Sequence, residues 1–384
     1  MIKLAARMQD IRGFQVMEIL ARARALEAEG RSIIHMEIGE PDFPTADGIV
    51  RAGVDALAAG YTHYTETAGL PALRAAIAQS YAPTPIDPGR VILTPGASGA
   101  LQLAFGALVN PGDEVLMADP GYPCYRHLVR LYEGRARLVP VDAASGYQFT
   151  AELIDRHWTP ATRAVLLASP SNPTGTVASD AELAAIAAVV ERRGAALIVD
   201  EIYRGLTYDV RPRSALACGE RVFVVNSFSK YYGMTGWRLG WLVAPAEASA
   251  ALERLAQNLF LAPGTLAQHA ALAAFTPEVD AELQRRRAIL QERRDYLVPA
   301  LRALGFDIPV VPQGAFYLYA GCRRFSDDSQ SFTRRLLETA GVAITPGADF
   351  GDYRAAEHVR FSYANALENL REAVQRLSAH VIRL

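Results

Sequence analysis

The sequence predicts an α/β protein, with a mainly parallel seven-stranded sheet covered by helices in a larger domain and a smaller α+β domain beside it. Three observations predict this fold. The 384 residues are enough for two or three domain-sized units. From residue 90 onward, short apolar runs alternate with helical stretches, as in βαβ units. After about residue 285 the pattern changes to a long charged helix at 280–304, a loop, and a last helix near 366–380.

The alternating region supplies the seven strand-like runs of the predicted sheet. These runs are 91–94, 114–118, 136–141, 163–169, 196–200, 222–226 and an apolar run from Trp237 to Pro245. The helical stretches between them include 99–109, 122–133, 150–157 and 180–193. An open parallel sheet binds its ligand at the carboxyl ends of its strands, so we expect the functional residues there.

The N-terminal part predicts a helix over residues 14–29, ended by Gly30, and then a short strand over 33–38. The loop from Gly39 to Pro44 follows, and its two prolines hold it open. Such a loop either lines a pocket or connects two domains. The expected segments are 1–45, which joins the smaller domain, 46–284, the larger domain, and 285–384, the smaller domain.

The composition excludes several classes of protein. The net charge is −2, with both signs dispersed, which predicts neither nucleic-acid binding nor a polybasic membrane patch. The three cysteines, Cys124, Cys218 and Cys322, are too far apart for a paired metal motif and odd in number, and the seven histidines show no metal-binding spacing. No apolar stretch is long enough to span a membrane, and the N-terminus shows no signal-peptide pattern. We expect a soluble cytoplasmic protein without a metal site.

The first strand of the sheet is followed by a possible anion site. Val91 to Leu93 lead into Gly96-Ala97-Ser98-Gly99 and then a helix, and free backbone N–H groups at a helix start attract anions. This turn lacks the last glycine of the G-x-S-x-G nucleophile motif and the spacing of a dinucleotide-binding loop. The next strand ends near Tyr122, whose ring serves either for packing or for stacking on a ligand.

Two further strand ends carry polar side chains. Asn172 lies between prolines, so its amide is either fixed for a ligand or part of a turn. Asp200 ends a wholly apolar strand, and a carboxylate there is costly unless a cation meets it. A protonated pyridine nitrogen would be a suitable cation.

Lys230 lies in the loop between the last two apolar runs and is the strongest candidate for a catalytic residue. Ser227 and Ser229 precede it, and Arg238 follows eight positions later. A lysine amine attacks an aldehyde to form a Schiff base, and a guanidinium holds a phosphate dianion, which together suit pyridoxal phosphate. The alternative is a solvated loop lysine and a surface ion pair.

Five motifs together resemble the class I and II aminotransferase family of fold type I pyridoxal-phosphate enzymes. They are S-N-P-T-G at 171–175, D-E-I-Y at 200–203, S-F-S-K at 227–230, G-W-R-L-G at 236–240 and R-F-S at 360–362. The matching stretches run from Gly39 to Arg360 and so cover nearly the whole chain. This joint occurrence favours Lys230 as the residue that binds the cofactor.

The resemblance implies a role for each matching residue. Lys230 would form the Schiff base and move the substrate proton, and Asp200 would keep the pyridine nitrogen protonated. Tyr203 and Asn172 would bond the phenolic oxygen, and Tyr122 would stack on the ring. Other implied contacts are Ala97, Ser98, Ser227 and Arg238 to the phosphate, Ser229 to the cofactor, and Arg360, Gly39 and Asn172 to the substrate α-carboxylate.

The resemblance also implies an amino-acid aminotransferase that passes the amino group to a 2-oxo acid such as 2-oxoglutarate. Residues 255–273 contain no lysine or arginine for an acidic substrate side chain, so we expect apolar or aromatic donors, with Phe14 or Val16 near them. Tyr64 matches the family tyrosine that reaches a partner's phosphate, which implies a homodimer with shared active sites; the alternative is a packed tyrosine. A carbon–sulfur β-lyase and a non-catalytic regulator are the alternative functions.

Overall fold

The computed structural model describes residues 2–381, which form strands and helices in close alternation. The strands are β1 (Ile34–His35), β2 (Val91–Thr94), β3 (Glu114–Asp119), β4 (Arg135–Pro140), β5 (Thr162–Ala168), β6 (Ala196–Asp200), β7 (Val222–Ser227), β8 (Gly240–Val243), β9 (Tyr317–Gly321), β10 (Val342–Ala343), β11 (Thr345–Pro346) and β12 (His358–Ser362). The helices are α1 (Gln15–Ala28), α2 (Asp47–Ala58), α3 (Pro71–Gln79), α4 (Gly96–Leu108), α5 (Cys124–Leu131), α6 (Ala151–His157), α7 (Asp180–Arg192), α8 (Ala246–Leu259), α9 (Thr265–Leu272), α10 (Pro277–Leu304), α11 (Ser329–Ala340) and α12 (Leu367–Val381).

The central sheet has seven strands in the order β2-β8-β7-β6-β5-β3-β4. Strand β8 pairs antiparallel with both β2 and β7, and the other pairs in this sheet are parallel. The helices between the parallel strands carry the chain back to the same edge, so consecutive strands begin and end together. The predicted mainly parallel seven-stranded sheet is confirmed.

Both faces of this sheet are buried, which explains why its strands are almost continuously apolar. In β7, Val222 and Val224 belong to the apolar core on one face, and Phe223 and Val225 belong to the core on the other. The first core includes side chains of α3 and α7, and the second includes side chains of α4, α5 and α8. Burying each such side chain stabilises the fold by about 1.5–3 kcal/mol.

A second group of strands and helices has its own core. Strands β11, β12 and β9 form a three-stranded antiparallel sheet, and β1 pairs in parallel with β10. Leu297 of α10, Phe316, Phe361 of β12 and Leu370 of α12 are buried in one cluster. Because β1 comes from the N-terminal segment, that segment contacts the C-terminal part of the chain.

Several element boundaries differ from the sequence prediction. The strand expected at 33–38 is only β1, because the carbonyl of Met36 accepts a hydrogen bond from Ser362 and the chain thus leaves β10 for β12. Helix α4 begins at Gly96 rather than at residue 99, so Gly96, Ala97 and Ser98 form its first turn. Helix α10 is continuous across the expected domain boundary at 284/285.

None of the helices in residues 2–381 is both long enough and apolar enough to cross a membrane. Within the same residues, no three or more His, Cys, Asp or Glu side chains are grouped so that they could hold a metal ion.

Candidate active site

A cavity of about 270 Å³ lies at the carboxyl edge of the central sheet. It is open to residues that follow β2, β5, β6 and β7, which is the position expected for a ligand of such a sheet. Thirteen of the expected site residues line it: Phe14, Val16, Gly39, Ala97, Ser98, Tyr122, Asn172, Asp200, Tyr203, Ser229, Lys230, Arg238 and Arg360. The structure therefore brings together residues that are up to 346 positions apart, from Phe14 to Arg360.

The Lys230 side chain enters this cavity from the loop after β7. Its Nζ donates a hydrogen bond to the carbonyl oxygen of Gly39 at 2.6 Å. Burial lowers the pKa of Lys230 from 10.5 to about 8; the negative charges of Glu40 and Asp200 act against this shift, and the positive charges of Arg360 and Arg238 add to it. A substantial fraction of the amine is therefore neutral, and hence nucleophilic, slightly above neutral pH.

Asp200 is the last residue of β6 and is fully buried at the base of the cavity. Its Oδ2 accepts a hydrogen bond from the Tyr125 hydroxyl at 2.7 Å, and its Oδ1 accepts one from the Ile202 N–H at 3.0 Å. Burial raises the pKa of Asp200 to about 6, although these two hydrogen bonds and the charge of Lys230 act to lower it. Asp200 is thus a buried anion at neutral pH, available to a cationic group of a ligand.

Arg360 lies in the middle of β12, with its guanidinium between the rings of Tyr317 and Phe350, 4.3 Å and 4.8 Å from their centroids. Its Nη1 donates to Asn172 Oδ1 at 2.9 Å, and its Nη2 donates to the carbonyl of Glu37. Its Nε is buried and has no hydrogen-bond partner among residues 2–381. The guanidinium lines the cavity, and its planar fork has the shape that matches a carboxylate.

The first turn of α4 and the Arg238 side chain form a cradle of hydrogen-bond donors on the cavity. Gly96 has φ of +70°, and a Cβ there would lie 2.5 Å from Nη2 of Arg238, so only glycine allows the guanidinium to approach this closely. Ala97 and Ser98 follow in the first helical turn, where backbone N–H groups lack partners within the helix. These N–H groups and the guanidinium suit a phosphate.

Aromatic side chains form one wall of the cavity. The hydroxyls of Tyr203 and Tyr317 are hydrogen-bonded at 2.8 Å, and burial raises the pKa of Tyr203 well above its usual value. Tyr122 packs edge-on against Tyr125 at 5.3 Å and lies 6.4 Å from the ring of Phe14. Tyr122 lines the cavity, and an aromatic ring there suits a flat ligand.

Two expected site residues do not line the cavity. Ser227 is buried at the end of β7, and its hydroxyl lies 3.0 Å from the carbonyl oxygen of Leu239, to which it can donate, and 2.8 Å from the hydroxyl of Ser229, from which it can then accept. It therefore positions Ser229, which does line the cavity. Tyr64 lies between α2 and α3 and is 82% exposed, away from the cavity of its own chain.

Sequence reasoning missed several residues that line the cavity, among them Tyr125, Tyr317, Asp349 and Phe350. Tyr125 follows Tyr122 by three positions, a spacing that places two residues of a helical segment on one side, and this signal was available. Tyr317 had no local signal, because it reaches Gly39 only through the tertiary fold; a Cβ on Gly39 would collide with its hydroxyl.

Comparisons with known proteins agree with this geometry. The family model described as aminotransferase class I and II matches residues 31–377. The chain is 38% identical to a valine–pyruvate aminotransferase of Mycobacterium tuberculosis over 95% of each protein. It is 35% identical to an aspartate aminotransferase of Geobacillus stearothermophilus over 98% of each. The crystal structure of an aminotransferase from Mycobacterium tuberculosis superposes with a TM-score of 0.96 at 37% identity, over the full length of both chains.

Proposed function

The chain belongs to the aminotransferase class I and II family and is an aminotransferase, and we propose that it moves the α-amino group of an apolar or aromatic amino acid to a 2-oxo acid such as 2-oxoglutarate. The observation that carries this proposal is the meeting of Lys230, Asp200 and Arg360 in one cavity whose remaining substrate-side wall is apolar or acidic. The amine, the buried anion and the buried cation are the three groups that amino-group transfer from an amino acid requires.

Pyridoxal phosphate, on which the family depends, fits the donor set of the cavity. The cradle of Ala97, Ser98 and Arg238 would hold its phosphate, and Asp200 would face its ring nitrogen. Asn172 and Tyr203 would donate to its phenolic oxygen. Tyr122 would stack on its ring, and Ser229 would contact it from the Lys230 loop. When bound, this cofactor supplies an aldehyde and an electron-withdrawing pyridine ring.

The side chains of this protein then divide the work. Lys230 would hold the cofactor through its amine, and its free amine would move a proton to and from the substrate Cα. Asp200 would face the ring nitrogen and favour its protonated form, because a buried carboxylate stabilises an adjacent cation. Arg360 binds the substrate α-carboxylate through its planar fork, assisted by Asn172 and the backbone at Gly39.

The side-chain part of the substrate would lie against Phe14, Val16 and Phe350, which supports an apolar or aromatic donor. The same wall contains Asp349, whose Oδ1 accepts a hydrogen bond from the Gln15 N–H at 2.8 Å. An acidic substrate side chain would meet this carboxylate, and unpaired like charges in a dry pocket are costly. One of the two curated relatives is named for an apolar donor, valine, and the other is named for an acidic donor, aspartate.

A donor panel tests the proposed substrate class. Purified enzyme is assayed with 2-oxoglutarate and, in turn, alanine, valine, leucine, methionine, phenylalanine and aspartate. We expect kcat/KM for at least one apolar or aromatic donor to exceed that for aspartate by roughly tenfold or more, the cost of about 1.4 kcal/mol for an unmatched carboxylate. Aspartate as the best donor would contradict the proposal. Pyruvate replaces 2-oxoglutarate in a parallel series, so that an unsuitable acceptor does not hide the donor preference.

We propose a homodimer with shared active sites, supported by an exposed apolar surface near Tyr64. Val50, Val54 and Leu57 lie on one face of α2 and are 40–60% exposed, and Tyr61 and Tyr64 continue this surface. Large apolar side chains exposed together on a folded protein are typical of an interface. In such a dimer the Tyr64 hydroxyl would donate a hydrogen bond to the cofactor phosphate in the partner's active site.

The proposed division is a larger domain at 46–284 and a smaller one at 285–384 that includes the segment 1–45. The pairing of β1 with β10 supports the assignment of the N-terminal segment. The proposed boundary lies inside α10, so a single helix would belong to both domains. The three cysteines are free, which supports our expectation of a reducing cytoplasmic environment.

A further inference from the structure

A second and larger cavity, of about 880 Å³, lies between α10 and the sheet behind the Lys230 segment. Tyr231 and Tyr232, the two residues after Lys230, line it. Ile202 is the one residue, among those the structure describes, that lines both this cavity and the candidate active site. Its volume is in the range of small-molecule sites, of roughly 300–1,000 Å³. The amino-transfer reaction, as derived above, makes no use of it.

The walls of the second cavity are aromatic at its base and polar at its mouth. Tyr81 and Trp241 are each 1% exposed, and the Trp241 Nε1–H donates to the Tyr81 hydroxyl at 2.9 Å. Tyr232 and Phe275 add two more rings, 5.8 Å apart between centroids. At the mouth, Asp280 and other residues spaced along one face of α10 line the cavity. A flat apolar group can therefore be enclosed at the base while a polar group faces the mouth.

Arg204 lines this cavity, and its Nε makes no hydrogen bond to the residues that the structure describes. Its guanidinium lies 5.1 Å from the Tyr81 ring centroid, and its Nε is buried without a hydrogen-bond partner among residues 2–381. The Glu201 carboxylate is 3.8 Å from that Nε, beyond hydrogen-bond distance. The Glu201 oxygens instead accept from the Ser214 hydroxyl, at 2.9 and 3.0 Å, and from the Ala215 N–H, at 2.7 Å.

Arg287, which also lines this cavity, differs from Arg204 because its guanidinium has hydrogen-bond acceptors within the protein. Arg287 donates from Nη1 to the carbonyl of Thr207 and from Nε to Gln284, both at 3.0 Å, so its guanidinium is held by the protein itself. Arg204 has no such acceptor for its buried Nε. Apart from its 3.8 Å ion pair with Glu201, the Arg204 guanidinium has no ion-pair or hydrogen-bond partner among the side chains of the part of the chain that the structure describes, so its Nη groups can pair with an anion in the cavity.

We propose that this cavity is a second ligand site, which binds a monocarboxylate that carries an aromatic ring. The carboxylate pairs with the Arg204 guanidinium, and the ring lies among Tyr81, Tyr232 and Phe275. A carboxylate matches the planar fork of arginine. A single negative charge suits the Arg204 end of the cavity, because Glu201 already lies 3.8 Å from that guanidinium. The other charged residues of the lining are Arg211, Arg287, Asp209 and Asp280, two of each sign, so they add no net charge.

The test is a titration of the full-length enzyme, loaded with pyridoxal phosphate, with 4-fluorophenylacetate followed by ¹⁹F NMR and by equilibrium dialysis. The wild-type protein and the Arg204→Gln variant are compared. A probe molecule that binds at Arg360 persists in both proteins, so the difference between them reports the second cavity alone. We expect the variant to bind one fewer probe molecule per chain, or to bind it roughly 10- to 100-fold more weakly, as for loss of a charged hydrogen-bond pair.

Two further variants separate ligand binding from folding. Arg204→Lys keeps the positive charge beside Glu201 but removes the fork, and it should also bind the probe more weakly while its near-UV circular dichroism stays that of the wild type. Arg192→Gln, a substitution of an exposed arginine on α7, is the matched control and should bind as the wild type does. If either Arg204 variant is folded and binds the probe with wild-type affinity and stoichiometry, the proposal is wrong.

A competition experiment tests the chemical class of the ligand. The wild-type enzyme is first loaded with the fluorinated probe, and inorganic phosphate is then added at the same total concentration as the probe. We expect phosphate to leave the second-cavity signal unchanged, because it lacks the ring that the aromatic base encloses. If phosphate displaced the probe as well as an equal concentration of unlabelled phenylacetate does, the cavity would be a general anion site, and the proposed preference for an aromatic carboxylate would be wrong. These experiments measure binding and not turnover. Their outcome is therefore independent of whether the enzyme prefers apolar or acidic amino-acid donors.

Discussion

At the scale of single residues, the candidate active site depends on two buried groups whose pKa values are shifted toward each other. Burial favours the neutral form of both Lys230 and Asp200, so it lowers the pKa of the first to about 8 and raises that of the second to about 6. Each group also stabilises the charge of the other. Between pH 6 and 8 the site therefore holds one anion and an amine that can lose its proton.

The Lys230 shift predicts how cofactor capture depends on pH. Because the protonated amine cannot attack an aldehyde, the rate at which cofactor-free protein attaches pyridoxal phosphate should rise about tenfold per pH unit below pH 8 and level off above it. The rate is measured from the absorbance change after mixing, between pH 6 and 10. A midpoint near the ordinary lysine value of 10.5 would contradict the prediction.

The sequence offers a matched control, because Lys3 and Lys230 are its two lysines. Lys230→Ala should bind the cofactor without the absorbance change of covalent attachment and should lose transamination, whereas Lys3→Ala should behave as the wild type. Normal turnover by the Lys230→Ala protein would remove the assigned role of this lysine.

Tyr125 predicts a second effect, on the acidic side of the pH profile. Its hydroxyl is one of two hydrogen-bond donors to the Asp200 carboxylate and acts to lower the pKa of that group. In Tyr125→Phe that donor is lost, so the pKa of Asp200 should rise by roughly one unit, and the acidic limb of kcat/KM against pH should move upward by the same amount.

The alkaline limb should remain in place in Tyr125→Phe, because Tyr125 makes no hydrogen bond to Lys230. Tyr132→Phe is the control, since Tyr132 follows the end of the same helix and lies outside the cavity. An unchanged acidic limb in Tyr125→Phe, or an equal shift in both variants, would show that this hydrogen bond does not control Asp200.

At the scale of elements, the loop between β1 and α2 is held in place against α10. Asp42 and Arg293 form two parallel hydrogen bonds, of 2.7 and 2.9 Å, and the Phe43 ring lies 5.1 Å below the Arg293 guanidinium. The same loop presents the Gly39 carbonyl to Lys230 at 2.6 Å. Of the two interpretations of this loop, pocket wall or connector, the structure supports the pocket wall.

The Asp42–Arg293 pair predicts a large effect on stability. Asp42→Ala leaves the Arg293 charge, whose side chain is 7% exposed, without its carboxylate, which should lower the free energy of unfolding by about 3 kcal/mol. The control is Asp10→Ala, which breaks an exposed pair with Arg130 and should cost about 1 kcal/mol or less. Urea unfolding of both proteins measures the difference. Equal midpoints would show that the loop is not anchored through this pair.

The elements also show what the sequence could reveal and what it could not. Strands β2 to β8 were recognisable because both faces of the sheet are buried and the strands are therefore almost continuously apolar. The helices between the parallel strands were recognisable from the helical spacing of their apolar residues. Helices α8 and α9 were missed because alanines weaken the apolar pattern and Pro263 and Gly264 interrupt it. The two-residue strands β10 and β11 exist only through pairing with distant segments, and neither has a local signal.

The same distinction holds for the site. Asp200, Lys230 and Asn172 could be predicted because each lies at or just beyond the end of an apolar strand, at the edge where open parallel sheets bind ligands. Tyr317 and Asp349 come from the C-terminal part of the chain and reach the cavity only when β9 and β12 have paired and packed on the central sheet. Their position depends on packing over long sequence separations, which no local pattern encodes.

At the scale of the whole molecule, the surface around α2 is apolar and exposed. The α2 residues Val50, Val54 and Leu57 continue into Tyr61, which stacks on His269 of α9 at 4.4 Å, and into Tyr64. Burial of this surface in a dimer would stabilise the dimer by about 25 cal/mol per Å² of apolar area removed from water. A two-fold axis through this surface would give two equivalent active sites.

Coexpression of Lys230→Ala and Tyr64→Ala chains with different tags tests whether these sites are shared. In a purified mixed dimer, one site carries both defects, while the other takes Lys230 from one chain and Tyr64 from the other. That second site should work like the wild type, so the mixed dimer should have about half of the wild-type activity, one functional site in two. Both parental dimers serve as controls and should be less active than this.

The opposite arrangement has a different consequence. If Tyr64 contacted the cofactor of its own chain, each site of the mixed dimer would carry one defect, just as in the parents, and its activity would equal the average of the two parental dimers. Rescue above that average requires that the hydroxyl cross the interface, because no other combination of these two chains rebuilds an intact site. Activity at or below the average would therefore refute the shared active site while leaving the role of Lys230 unaffected.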